Sequence, residues 1–82
     1  MIRQYQSIHP AGTYVIGAFT TAAVIDVKRW NGTRWELHAT NYRVDGRSVE
    51  DRDRALAGLG LRRTGEWVKD GLIHMTTTAE AV

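Results

Sequence analysis

The sequence predicts an α+β fold: an antiparallel sheet of about five short strands built from two hairpins, with one short helix packed on one face, in the order β-β-β-α-β-β. Two of the supporting observations are turn signals. Trp30-Asn31-Gly32 and Lys69-Asp70-Gly71 each sit between stretches rich in β-branched and aromatic residues, and an Asn-Gly or Asp-Gly turn in that setting is the strongest short-range hairpin signature. The third is a capped, charged, helix-like segment between them, from Ser48 to Gly60.

Residues 1–12 are polar, hold the single proline and show no period, so they are expected to form an arm. Residues 13–78 form the domain, and residues 79–82 a frayed tail. Thr13 to Phe19 and Ala22 to Trp30 are expected as strands joined near Thr20-Thr21. The uncharged run from Pro10 to Ile25 is shorter than the roughly 20 apolar residues that span a bilayer, and Gly12, Thr13, Gly17, Thr20 and Thr21 interrupt it.

The first hairpin's register is tested by its faces, because a slip of one residue exchanges them. A two-residue Asn-Gly loop pairs Trp30 with Thr33 and mixes apolar with charged positions. A three-residue loop, either Trp30-Asn31-Gly32 or Asn31-Gly32-Thr33, separates them. Under either, Ile25, Val27, Trp35, Leu37 and Ala39 point inward. Asp26, Lys28, Trp30, Arg34, Glu36, His38, Thr40 and Tyr42 point outward.

Val44-Asp45-Gly46 ends the strand, and Ser48 then acts as an N-cap with Asp51 three residues on. Glu50, Asp51 and Asp53 place negative charge at the positive end of the helix dipole. Val49, Leu56 and Leu59 form the apolar stripe, and Gly60 suits a left-handed C-cap before a buried Leu61. In the second hairpin a three-residue turn at Lys69-Asp70-Gly71 opposes Val68 to Leu72, Trp67 to Ile73 and Glu66 to His74. Trp67, Ile73 and Met75 then share a face.

Eighty-two residues with 43% hydrophobic and 24% charged content describe one small globular domain. The lack of cysteine removes disulfides and thiolate metal sites and fits a reducing compartment, so the cytoplasm is the expected location. The net charge is only +2, although nine of the eleven basic residues are arginine. His9, His38 and His74 lack metal-ligand spacing, and no metal or other cofactor is implied. There is no G-x-S-x-G, Walker or G-x-G-x-x-G motif, so neither an enzyme nor a small-molecule substrate is indicated.

The expected function is a small non-enzymatic module acting by protein–protein contact, with itself or a larger partner. Trp30, Tyr42, Arg34 and Arg43 are the expected contact residues, since aromatics and arginine are enriched in interface cores. Nucleic-acid binding through Arg43, Arg47, Arg62 and Arg63 is the alternative, and it requires those arginines to meet in one patch. The mixed charge of the outer face and the acidic neighbours of Arg52 and Arg54 favour a protein over a polyanion.

Overall fold

The computed structural model describes residues 9–82, so the expected arm lies largely outside the described residues. The architecture is α+β, with six strands and one helix among the described residues: β1 (Tyr14–Phe19), β2 (Ala22–Trp30), β3 (Trp35–Arg43), α1 (Val49–Gly58), β4 (Leu61–Arg63), β5 (Val68–Lys69) and β6 (His74–Ala81). All pairings are antiparallel and the sheet order is β3-β2-β1-β6-β4, with β5 also pairing β6. The first and last strands are thus neighbours at the centre. No helix among the described residues is long and apolar enough to cross a membrane.

One face of the sheet carries the helix and the core. Ile16, Ala18, Ile25, Val27, Val44, Leu56, Leu61 and Ala79 are buried together there, with Tyr14, Ala39, Tyr42 and Trp67 packed against them. The 79–82 segment is not a frayed tail. Ala79 is buried, Leu61 pairs with Ala81, and Val82 donates its N–H to the Gly60 carbonyl. The short β4 supplies the ladder bonds and Leu61 the apolar contact that hold this end in place.

The helix begins as its sequence dictates. The Ser48 hydroxyl accepts the Asp51 N–H at 3.0 Å, and the Asp51 carboxylate accepts in return from Ser48, completing a capping box. It ends at Leu59, followed by Gly60 at φ +77°, the left-handed position that glycine tolerates. Its buried face departs from the expected stripe. Leu56 is fully buried, but Val49 is 40% exposed and Arg52 is buried in its stead. Arg52 is tolerated because its guanidinium lies 5.2 Å from the centroid of Trp67 and donates to the Phe19 carbonyl at 3.3 Å.

The register of the first hairpin keeps Ile25, Val27 and Ala39 inward and Asp26 and Lys28 on the opposite face, as expected, but overturns the assignment of Trp35, Leu37 and Tyr42 on β3. Trp30 pairs with Trp35, Arg29 with Glu36 and Lys28 with Leu37, around a four-residue loop from Asn31 to Arg34. The Asn31 side chain builds this longer loop: its Oδ1 accepts the N–H groups of Thr33 and Arg34 at 2.8 and 2.9 Å. Trp35 and Leu37 therefore share a face with Lys28, away from Ile25 and Val27. Two irregularities in β3 then restore the core. The first sets Ala39 opposite Val27, and the second sets Tyr42 opposite Ile25. At the second, Asn41 takes φ +52° and donates its N–H to Asp26 Oδ1 at 2.8 Å.

In the second hairpin Lys69 pairs with Met75 and Val68 with Thr76, so the turn is longer than the expected three residues and is closed by Asp70 N–H to His74 carbonyl at 2.7 Å. The shift is even, which keeps Trp67 and Met75 on the core side while leaving Ile73 in the exposed loop.

Candidate functional site

The four expected contact residues do not form a surface. Trp30 is 8% exposed, its ring 5.1 Å from that of Trp35. Tyr42 lies on the helix side with the core, its hydroxyl so close to Gly58 that a Cβ there would come within 3.4 Å. Only Arg34 and Arg43 are exposed. Arg34 lies just before β3 and Arg43 ends it; the strand between them spans the six steps of β2 from Trp30 to Val24, about 20 Å.

The expected arginine patch is likewise dispersed. Arg43 closes β3 and Arg47 donates to the Thr20 carbonyl at 3.1 Å, whereas Arg62 and Arg63 belong to β4. β2, β1 and β6 separate those strands, a gap of about 19 Å at ordinary strand spacing. Arg62 is paired with Glu80 on one face. Arg63 forks Asp53 from the other at 3.0 and 3.2 Å and donates to the Gly65 carbonyl, and the Asp53 bonds hold it more firmly protonated than an ordinary arginine. Both charges are neutralised locally.

What the structure brings together instead is the sheet face that, among the described residues, carries no helix. Strand alternation places Val15, Gly17 and Phe19 of β1 on it, flanked by Asp26 and Lys28 of β2 and by Thr76 and Thr78 of β6. Leu37 extends the Lys28 row onto β3, and Val68 extends the Thr76 row onto β5. Leu37 is 69% exposed and Val68 60% exposed. Between these flanks runs an open groove of about 540 Å³, lined by His9, Val15, Lys28, Trp35, Glu66, Val68 and the threonines Thr76 to Thr78. A smaller depression of about 260 Å³ adjoins it over Gly17, sharing Val15, Lys28 and Thr76.

Gly17 shapes that depression. The His74 imidazole lies so close over it that a Cβ at this position would come within 2.9 Å of Nε2. The same ring packs on Phe19 at 5.1 Å, with Nδ1 3.4 Å from Asp70 Oδ2. Among the described residues neither Lys28, Asp26 nor Glu66 takes part in an ion pair. The face thus offers apolar patches beside charges of both signs that stand outside any ion pair among the described residues, an arrangement suited to recognition; Asp26 also accepts the Asn41 N–H. No three His, Asp or Glu residues among those described are placed to hold a metal ion.

Sequence reasoning placed Asp26 and Lys28 on the outer face but missed its apolar part, because it assigned Trp35 and Leu37 to the core. A signal for it did exist. The strand Tyr14–Phe19 is apolar at both sets of alternate positions, whereas a sheet that meets water on one side alternates apolar with polar. Comparison with known proteins finds no matching family model, no matching curated protein and no matching solved structure.

Proposed function

We propose that this protein is a non-enzymatic binding module that works by protein–protein contact, and that the helix-free face of its sheet is the contact surface. One observation carries the reading: Leu37 and Val68 stand exposed on the two flanks of an apolar-lined groove, on a sheet whose opposite face already holds the core. A domain of this kind stacks layers to cover apolar faces, and among the described residues no layer covers this one. The dispersal and local pairing of Arg62 and Arg63 weaken the polyanion alternative.

The chain has no cysteine, so a thiol-reactive photo-crosslinker attached at Leu37→Cys or Val68→Cys reports on one position at a time. Crosslinks to protein from both positions, and none from a control at Ala57→Cys on the exposed helix surface, are the expected result. Absence of any protein crosslink from the sheet face overturns the reading. So does tight, steeply salt-dependent binding of DNA in a gel-shift titration.

A further inference from the structure

We infer that the partner covering this face is a second copy of the chain, docked sheet to sheet about a two-fold axis that crosses the strands between the Lys28 and Asp26 rows; the inference rests on the contact surface proposed above. The argument starts from two charges. Asp26 and Lys28 are alternate residues of β2, so they share the open face roughly 7 Å apart; among the described residues neither is ion-paired, and Asp26, whose Oδ1 accepts the Asn41 N–H, keeps its second carboxylate oxygen for a partner. An axis passing between them lays each lysine over the second copy's Asp26 and each Asp26 over the second copy's lysine. Such an isologous contact makes every pairing twice.

The rest of the two rows agrees with that axis. In the structure Lys28 is in register with Val15 and Thr78, while Asp26 is in register with Gly17 and Thr76. Rotation therefore sets Val15 against the His74 ring that covers Gly17 and Thr78 against Thr76, and within these two rows no like charges meet. Aligned sheets pack about 10 Å apart, a distance side chains of this size fill. The molecule measures 35 × 29 × 20 Å, and its two long dimensions accommodate the about 800 Å² per partner of a standard interface. Edge-to-edge pairing is the competing route for a sheet, and the two irregularities of β3 obstruct it on that side.

Sedimentation equilibrium of the whole chain tests this, with circular dichroism confirming the fold of each variant. The wild type is expected to dimerise reversibly. Lys28→Glu sets two carboxylates against each other at both symmetry-related contacts and weakens the dimer at least ~tenfold. Lys69→Glu makes the same change of net charge from a strand position that alternates with Val68 and so points off this face; it leaves dimerisation unchanged. Should Lys28→Glu fail to fold, Lys28→Met removes the attraction without adding repulsion, and weaker dimerisation is still expected. A wild type that stays monomeric at every concentration overturns the inference, as does a dimer indifferent to both Lys28 changes. A monomer that nonetheless crosslinks to another protein through Leu37 and Val68 removes the second copy alone and leaves the contact surface standing.

Discussion

The guanidinium of Arg52 lies 5.2 Å from the centroid of the Trp67 ring, buried inside the domain, and its Nη2 donates to the Phe19 carbonyl at 3.3 Å. Among the described residues no carboxylate pairs with it. Burial first, and the nearby Arg47 charge second, pull its pKa below that of an ordinary arginine. The arginine thus joins helix, β1 and the Trp67 segment while carrying an unneutralised charge.

Truncating it exposes the balance of those effects. Arg52→Ala leaves the Phe19 carbonyl without its donor and the indole uncovered, and is expected to cost about 2 to 4 kcal/mol. Arg52→Met keeps the volume and removes the buried charge, so its cost is smaller, about 1 kcal/mol. Urea unfolding of the two variants measures the difference.

The capping box makes stability depend on acid. The Ser48 hydroxyl bond, foremost, holds Asp51 below the ordinary carboxylate pKa, with the Ser48 backbone and Arg54 acting in the same direction. A carboxyl whose pKa is depressed by folding contributes stability above its unfolded pKa and loses that contribution as pH falls through the folded one. Wild type is therefore more stable than Asp51→Asn at neutral pH, and the gap closes on acidification below the usual carboxylate range. Thermal melts at a series of pH values read it directly.

Leu37 and Val27 give opposite outcomes for the same polar change. Leu37→Thr, at a 69% exposed position, alters the stability of the isolated monomer by less than about 0.5 kcal/mol. Val27→Thr buries a hydroxyl at a fully enclosed site and costs about 1 to 3 kcal/mol. Equal effects in denaturant titrations would contradict the irregular register of β3.

Ala79 stands at 1% exposure between β1 and β4. Ala79→Asp introduces an unpaired charge into the core and is expected to cost at least ~3 kcal/mol, enough to unfold much of a marginal domain. Circular dichroism and proton NMR dispersion check this. A position in a frayed tail would tolerate the change.

Gly17→Ala separates local strain from fold. The new methyl meets His74 Nε2 at 2.9 Å, and the neighbour that must yield is the far end of a side chain. The imidazole swings away from Phe19 while overall stability changes by less than about 1 kcal/mol, because alanine suits a strand better than glycine. Loss of the Phe19 ring-current shift on the His74 resonances reports the movement.

Features governed by a few adjacent residues were legible in the sequence. Ser48 with Asp51 start the helix and Gly60 ends it, as their local chemistry requires. The two hairpins stand where the turn residues lie, although each loop is longer than the three residues those turn signals imply. The face assignment of β3 was not legible, because it depends on where the extra residues of two irregularities fall, and Asn41 is held there by Asp26, fifteen positions earlier. Asn31 added a further displacement by folding its side chain over a loop longer than glycine placement implies. The buried Arg52 was concealed for the same reason: its acceptor on Phe19 and its cover on Trp67 come from distant parts of the chain. The candidate surface followed from β3, so it moved when the register moved.

The kinked outermost strand has a bearing on how large any assembly of this protein can grow. A straight border of open amide and carbonyl groups recruits further strands without limit, and the product is a fibre. Asn41 and its neighbours disrupt that template on one side, whereas stacking through a flat surface consumes the surface itself. A complex made that way would saturate at a fixed, small number of chains.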